Sequence, residues 1–320
     1  MDTVLKRIEC YGIVPVISID HADRAVPLAR ALREGGLPVA EITFRTSEGE
    51  AAISRIAKEM PDILVGAGTV LTTEQVDRAA AAGAKFIVSP GFNPEVVRHC
   101  LKIGLPVVPG VCTPGEMEQA IALGLKVVKF FPAEQSGGIS FIKAVSAPYP
   151  MLRFIPTGGI SAANLNDYLS FGKVLACGGS WMVKPELIAR DNYTEITRLA
   201  AEAVQTMLGF ELAHIGINCR DSEEARKTAD MLCTLFGFPV REGNSSVFAG
   251  TAFECTKGPV FGTHGHIAIK TNYILRAIDY FERRGFAFNE DSRKTDAGGA
   301  TKAIYFRDEI SGFAFHLAQK

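Results

Sequence analysis

The strongest constraint on the fold is an alternation over residues 12–208. Short runs rich in β-branched residues are followed by polar or glycine-rich breaks, and then by stretches that carry alanine and leucine. This pattern predicts strands that alternate with helices. Eight strands are predicted, at residues 13–19, 39–44, 64–68, 86–89, 107–110, 127–131, 153–156 and 174–178. The predicted helices between and after them include residues 22–33, 74–82, 116–123, 164–170 and a closing helix at 193–208.

Eight strands alternating with helices in about 200 residues match the strand count and the lower size limit of a (β/α)₈ barrel. An open doubly wound sheet usually has fewer strands, and often carries a G-x-G-x-x-G turn after the first of them. That turn is absent from the sequence that follows residues 13–19. We therefore expect residues 1–209 to form an α/β domain with a (β/α)₈ (TIM) barrel fold.

After Gly209 the pattern changes to a repeated unit. The tetrapeptide His214-Ile215-Gly216-Ile217 recurs as His266-Ile267-Ala268-Ile269, and each copy is followed by a predicted helix and a Gly-Phe pair. A period of about 52 residues indicates an internal duplication of a βαβββ unit. We expect residues 210–320 to form a smaller α+β domain built from two such units.

Charge and composition exclude several classes of partner. The chain has 34 Lys and Arg against 35 Asp and Glu, a formal charge of −1, so no general positive field would bind nucleic acid or a membrane surface. No apolar run approaches the ~20 residues that span a bilayer, and the first residues lack a signal-peptide core. The seven scattered cysteines form no C-x-x-C pair, which predicts reduced thiols in a cytoplasmic protein.

Lys129 is the most informative residue of the predicted barrel. Alternation along its strand puts Val127, Lys129 and Phe131 on one face, so the lysine is either in the barrel lumen or among the helices. Burial disfavours the ammonium form, and a neutral amine beside a carbonyl substrate forms a Schiff base. The alternative is a structural lysine whose head group reaches solvent.

Glu41, on the second predicted strand, and Arg45, just after it, are candidates for the same site as Lys129. An inward-facing Glu41 near the lysine would serve as a general acid and base, and Arg45, just past the strand end, suits a substrate carboxylate. A purely structural Glu–Lys pair is the alternative. Glycines close the last two strands, in Thr157-Gly158-Gly159 and Gly178-Gly179-Ser180, and their free backbone N–H groups predict a phosphate site.

Six strings in order, EITFRT (41–46), GAGTV (66–70), SPG (89–91), VKFFPAE (128–134), PTGGIS (156–161) and GGSW (178–181), resemble the class I 2-keto-3-deoxy-6-phosphogluconate aldolases over residues 5–208. The same family includes the 4-hydroxy-2-oxoglutarate aldolases. The resemblance implies that Lys129 forms the Schiff base, that Glu41 shuttles protons, and that Arg45 and Thr69 hold the pyruvyl carboxylate. The resemblance also implies that the substrate is bound by Pro90, Thr113, Phe131, Thr157, Gly158, Gly159, Gly179 and Ser180.

The same resemblance implies a homotrimer without a cofactor or metal in the barrel. The expected reaction cleaves the phosphorylated sugar acid to pyruvate and glyceraldehyde 3-phosphate. Two related substrates are alternatives, namely 4-hydroxy-2-oxoglutarate and the phosphogalactonate epimer. A non-catalytic barrel that only binds phosphosugars is the alternative from a different class.

The duplicated unit resembles the vicinal oxygen chelate group, which includes glyoxalase I and the extradiol dioxygenases. In that group the metal ligands come from the first and last strands of each unit. The matching positions here are His214, Glu254, His266 and His316, which implies a divalent metal in this domain. The glyoxalase pattern has an acid where this chain has His316, and His264 is an alternative ligand to His266. A binding or bracing module without metal is the competing hypothesis.

Overall fold

The computed structural model describes residues 2–320 and divides the chain into two compact units, residues 1–207 and 208–320. The division lies close to the boundary expected after residue 209. Among the helices of residues 2–320, none combines the length and apolar character of a membrane-spanning segment.

The first unit alternates strands with helices. The strands are β1 Ile13–Ile17, β2 Val39–Thr43, β3 Leu64–Gly68, β4 Ile87–Val88, β5 Val107–Val108, β6 Gly110–Val111, β7 Val127–Phe130, β8 Arg153–Pro156 and β9 Cys177–Gly179. The helices are α1 Thr3–Tyr11, α2 Ala25–Glu34, α3 Gly49–Glu59, α4 Thr73–Ala81, α5 Pro94–Ile103, α6 Pro114–Ala122, α7 Gly138–Ser146, α8 Leu165–Leu169, α9 Pro185–Ala189 and α10 Tyr193–Leu208. Short 3₁₀ turns occupy Ala22–Arg24 and Glu134–Ser136.

These strands close into a parallel barrel, which confirms the expected fold. One sheet has the order β5-β4-β3-β2-β1-β9, and a second has the order β6-β7-β8. Strands β5 and β6 are two pieces of the predicted fifth strand, which is interrupted at Pro109, a residue without an N–H to donate. An isolated parallel bridge between Thr157 and Gly178 links the end of β8 to β9 and completes the ring.

The barrel interior is apolar at the beginnings of its strands. Helix α1, which the sequence analysis did not predict, contributes Ile8 and Tyr11 to this core. The strand residues packed with them are Val14, Val39, Leu64, Phe86, Val88, Val108, Val127, Ile155, Leu175 and Ala176. This layer leaves the opposite, carboxyl ends of the strands and their loops to carry polar groups.

The second unit contains the two βαβββ repeats in order. The first comprises β10 Glu211–Asn218, α11 Ser222–Phe236, β11 Val240–Glu242, β12 Ser246–Ala249 and β13 Phe253–Thr256. The second comprises β14 Gly265–Thr271, α12 Ile274–Glu282, β15 Phe288–Thr295, β16 Thr301–Phe306 and β17 Phe313–Gln319. All eight strands form one sheet with the order β11-β12-β13-β10-β14-β17-β16-β15.

The sheet is symmetric about the antiparallel pair β10 and β14. Within the first repeat β10 lies parallel to β13, and Gly216 pairs with Glu254. Within the second, β14 lies parallel to β17, and Ala268 pairs with His316. Glu254 and His316 therefore occupy equivalent positions in the two repeats.

One face of this sheet is covered by helices. Ala225 and Ala229 of α11 pack against Val247 and Cys255. Because side chains alternate along a strand, Ser246 and Glu254 project from the other face. That uncovered face carries the polar cluster described below.

Candidate active site and candidate metal centre

Lys129 and Glu41 face each other inside the barrel. The side chains come from β7 and β2, and the two residues are only 6% and 3% exposed. Lys129 Nζ lies 3.6 Å from Glu41 Oε1, and both residues line a small interior cavity that Thr157 also contacts. The Phe131 ring centroid lies 5.1 Å from Lys129 Nζ. The lysine therefore projects into the lumen rather than toward the outer helices.

Glu41 has spare capacity as a hydrogen-bond acceptor. Its buried Oε1 has no hydrogen-bond partner. The adjacent strand β3 has glycine at positions 66 and 68, next to the part of β2 that carries Glu41. A Cβ atom on Gly68 would lie 2.3 Å from this oxygen, and one on Gly66 would lie 2.4 Å from the Phe86 ring. Buried polar atoms are normally paired, so an unpaired carboxylate oxygen beside an enclosed amine is typical of a site that awaits a ligand or a proton.

Arg45 and Thr69 lie just beyond the ends of β2 and β3. Arg45 is exposed, and its Nε donates to Thr43 Oγ1 at 3.2 Å. Thr43 Oγ1 in turn donates to the Ile17 carbonyl at 2.8 Å. Thr69 has a φ of 58°, a left-handed conformation that is costly for a β-branched residue. Such strain concentrates at functional positions, where the surrounding structure maintains it.

Glycines stand at the carboxyl ends of β8 and β9, where a phosphate site is predicted. Gly158 and Gly159 both have positive φ, at 99° and 79°, and the Gly158 carbonyl accepts from Glu134 N. Gly179, the last residue of β9, is buried, and Ser180 after it is exposed. The Trp181 ring lies so close to Gly179 that a Cβ there would be 1.9 Å from it.

Pro90 and Thr113 are also placed at strand ends. Pro90 is half-buried, and its carbonyl oxygen would lie 2.0 Å from a Cβ on Gly110, so the chain needs glycine there. Thr113 is exposed and caps α6, since its hydroxyl and the Glu116 side chain form a capping box. The Thr113 hydroxyl is therefore already used by the helix.

One contact at this end of the barrel was not anticipated. The buried Tyr168 hydroxyl donates a short hydrogen bond to Glu134 Oε1, and the Glu134 side chain covers Gly159. Burial and the hydrogen bond to Glu134 raise the pKa of Tyr168 well above its usual range. Glu134 ends the VKFFPAE string, but nothing in that string indicates a partner 34 residues away.

In the second unit, four predicted residues meet on the uncovered face of the sheet. His214 Nε2 lies 3.1 Å from His266 Nε2 and 3.1 Å from Glu254 Oε2. His266 Nε2 lies 3.4 Å from the same carboxylate oxygen. A donor atom of His316 completes a trio of histidine nitrogens that lie within 4.8 Å of one another. These are the four residues that the resemblance to the vicinal oxygen chelate group implies as ligands.

The spacing and the buried donors fit a metal ion. Two ligand atoms about 2.0–2.1 Å from a tetrahedral zinc ion are about 3.4 Å apart, close to the separations observed. His316 Nε2 and His266 Nδ1 are buried without a hydrogen-bond partner. Ser246 helps to orient Glu254, because its Oγ donates a hydrogen bond to Glu254 Oε1 at 2.6 Å. Gly216 leaves room for His266, since a Cβ there would lie 2.0 Å from the imidazole ring.

The electrostatics of the cluster favour the metal-binding forms of Glu254 and His316. Hydrogen bonds from His214 and His266 hold the pKa of Glu254 well below its usual range. Burial lowers the pKa of His316 to about 4, and the nearby His266 and His214 add to the effect. Neutral imidazole and ionised carboxylate are the forms that bind cations. The alternative ligand His264 is wrong, because it is exposed and lies against Phe313 instead.

Comparisons with known proteins cover the first unit. The family model for KDPG and KHG aldolases matches residues 4–199. The chain is 48% identical over 205 residues to a 2-dehydro-3-deoxy-phosphogluconate aldolase of Treponema pallidum, a match that covers 64% of this chain and 98% of that protein. It is 44% identical over 193 residues to the KHG/KDPG aldolase of Escherichia coli, covering 60% and 91%.

A solved structure of an aldolase is also similar to this chain. The KDPG aldolase of Legionella pneumophila, crystallised with pyruvate captured as a covalent carbinolamine, superposes with a TM-score of 0.61 at 38% identity. That match covers 63% of this chain and 98% of the solved one.

Proposed function

The chain belongs to the KDPG and KHG aldolase family, and from that premise we propose that its barrel cleaves 2-keto-3-deoxy-6-phosphogluconate to pyruvate and glyceraldehyde 3-phosphate. The observation that carries the proposal is the enclosed Lys129 amine beside Glu41. The names of the relatives from Treponema pallidum and Escherichia coli agree with this activity.

The first step is formation of a Schiff base. Once Lys129 has lost its ammonium proton, its amine attacks the C2 ketone of the substrate, and loss of water leaves a protonated imine. The bond between C3 and C4 then breaks, and its electron pair moves into the imine to form an enamine. The C4 carbon becomes the aldehyde of glyceraldehyde 3-phosphate. Covalent bonding to the amine thus replaces a free carbanion with a neutral enamine.

Glu41 supplies the proton transfers of this sequence. Its carboxylate removes the C4 hydroxyl proton during cleavage, and it later returns a proton to C3 of the enamine. Hydrolysis of the resulting imine releases pyruvate and restores the amine. The unpaired Oε1 of Glu41 and its position 3.6 Å from Nζ support this role. The chemistry uses only side chains of this chain and needs no cofactor.

The remaining site residues bind the two ends of the substrate. Arg45 and Thr69 hold the carboxylate next to the reacting ketone, and Thr157 with the two glycine loops holds the phosphate. The positive φ angles of Gly158 and Gly159 support this assignment, since left-handed backbone of this kind is part of the concavities in which N–H groups bind anions. Pro90, Thr113 and Phe131 complete the lining.

Borohydride trapping tests the Schiff base. Reduction in the presence of pyruvate should leave a mass adduct on the peptide that contains Lys129, and the Lys129→Ala variant should form none. An adduct that persists in this variant would overturn the assignment, and no adduct at all would favour a barrel that binds phosphosugars without catalysis. Rates with 4-hydroxy-2-oxoglutarate and with the phosphogalactonate epimer decide among the related substrates.

We further propose that the protein is a cytoplasmic homotrimer. The family resemblance supports the trimer, and seven free cysteines support a reducing compartment. Light scattering of the purified chain would measure the assembly, and a monomer or dimer mass would contradict it.

For the second unit we propose a vicinal-oxygen-chelate-like module with a divalent metal held by His214, Glu254, His266 and His316. The ligand-like spacing and the buried unpaired His316 Nε2 support it. When bound, the ion would supply a Lewis-acidic centre on the open face of the sheet. Ser246 would orient Glu254 toward it, as outer hydrogen bonds commonly do for metal ligands.

Metal analysis tests this second proposal. The purified chain should contain about one divalent ion, and the His214→Ala and His266→Ala variants should lose it. His264→Ala is the matched control, because that histidine lies outside the cluster. Equal metal content in all variants, or none in the wild-type chain after incubation with zinc, would favour a structural module.

A further inference from the structure

A cavity of about 590 Å³ opens beside the histidine cluster. Its wall combines the cluster with an apolar side formed by Val260 and Phe261, and the Phe261 ring packs on Tyr305 with centroids 4.6 Å apart. Lys294 also lines the cavity. Both repeats contribute to this wall, so the cavity is a feature of the assembled sheet.

A β-bulge brings Lys294 to this cavity. The ladder between β15 and β16 pairs Asn289 with Tyr305 but pairs Lys294 with Ala303. Five steps along β15 thus match two steps along β16, a surplus of three residues. Because the surplus is odd, Lys294 lies on the same face as Ala303 and Tyr305, and a second shift follows between Lys294 and Thr295. Regular pairing would have turned the lysine away from the cavity.

The charge on Lys294 is not neutralised within the second unit. Its neighbours on the same hairpin are paired, since Arg293 contacts Glu290 and Lys302 contacts Asp296. Among residues 2–320, the Lys294 ammonium has no hydrogen-bond or ion-pair partner. Lys294 is exposed at the edge of the cavity, and it is the one Lys or Arg among the lining residues, so it gives this side of the cavity its positive charge.

The balance of charge around the cavity favours an anionic ligand. Glu254 is the one carboxylate among the lining residues, and it is already engaged by the two histidines and Ser246. We infer that this cavity binds a small organic carboxylate whose charge pairs with Lys294 and whose carbon skeleton packs on Val260 and Phe261. The inference rests on the proposed metal centre, since a divalent ion would add further positive charge. The single positive charge of Lys294 matches the one negative charge of a carboxylate.

Lactate is a suitable probe, because it has no ketone or aldehyde group that could form a Schiff base with Lys129. In the full-length chain loaded with Co²⁺, lactate should change the visible spectrum of the metal and give a dissociation constant. Lys294→Met should raise that constant at least about tenfold without changing the metal content. Lys302→Met is the matched control, since this lysine lies on the neighbouring strand with its own carboxylate partner, and it should leave the constant unchanged.

Lactamide, the uncharged analogue, and methyl phosphate complete the test. Lactamide that binds as tightly as lactate, or unchanged affinity in Lys294→Met, would overturn the inference. Methyl phosphate that binds more tightly than lactate in a manner dependent on Lys294 would overturn the choice of a carboxylate. If the chain takes up no metal, the metal centre fails on its own, and calorimetry with lactate then decides. Lactate heat that disappears in Lys294→Met would support the inference, and its absence from the wild-type chain would refute it.

Discussion

Gly68 determines where Glu41 can lie: a Cβ atom at position 68 would be 2.3 Å from Glu41 Oε1 and 2.7 Å from its Cγ. Because residue 68 is a glycine, strand β3 leaves space for the Glu41 carboxylate beside the Lys129 amine. A close contact of this kind cannot be relieved by a small shift, because both residues are enclosed in the barrel.

Gly68→Ala should displace Glu41 while leaving Lys129 able to react. We expect kcat for aldol cleavage to fall by about a hundredfold, within the range for loss of a general acid–base group, while pyruvate is still trapped by borohydride. Steady-state kinetics and mass spectrometry measure the two effects. Gly172→Ala is the control, because its added Cβ meets no atom within 4 Å. Full activity in Gly68→Ala would show that catalysis does not need the space that glycine leaves at this position.

The buried pair of Glu41 and Lys129 should also affect the free energy of unfolding. Glu41→Gln or Lys129→Met each leaves an uncompensated buried charge, so each should lower the free energy of unfolding by about 3–5 kcal/mol. The double variant removes both charges and should be less destabilised than the sum, with a coupling of about 0.5–3 kcal/mol. Urea denaturation of the four chains gives the cycle. Simple additivity would mean that the two groups do not interact.

Trp181 should report on phosphate binding. It is the single tryptophan of the chain, and its ring packs on Gly179 in the proposed phosphate loop. Binding of glyceraldehyde 3-phosphate should therefore change the intrinsic emission, whereas glyceraldehyde without the phosphate should change it much less. A fluorescence titration measures both. Identical responses to the two aldehydes would argue against phosphate recognition by this loop.

Gly216→Ala should disrupt the metal cluster through its neighbour. The added Cβ would lie 2.0 Å from the His266 ring, so the imidazole must move, and we expect metal affinity to fall by about tenfold or more. Competition with a chromogenic chelator measures the affinity. Gly258→Ala, whose Cβ meets nothing within 4 Å, should bind metal as the wild-type chain does. Equal affinity in the two variants would place His266 outside the ligand set.

Much of the fold follows from local sequence signals. The bounds of β3 and β8 agree with those predicted, because glycine or proline ends each run. The predicted fifth strand is broken at Pro109, and the predicted eighth begins later, at Cys177, since Val174 forms only an isolated bridge. Boundaries of this kind depend on pairing with neighbouring strands, which one segment does not reveal.

The site residues divide in the same way. Strand alternation restricted Lys129 to two faces, but only the closed barrel determines that it faces Glu41 across 88 residues of sequence. The repeat pattern was enough to prefer His266 over His264, because it identified equivalent strand positions. The position of Lys294 beside the cavity could not be predicted. A register shift between Asn289 and Lys294 decides which face of the strand the lysine takes, and nothing in the sequence of residues 290–293 indicates this shift.

The seam between β10 and β14 has a consequence for how such a cluster can arise. The first repeat supplies His214 and Glu254, and the second supplies His266 and His316. A lone ancestral repeat would have held half of the donors, and it could have completed the set only by meeting a second copy of itself. Joining two copies in one polypeptide replaces that concentration-dependent encounter with a fixed effective concentration. It also frees the two halves to diverge, as Glu254 and His316 have done at equivalent positions.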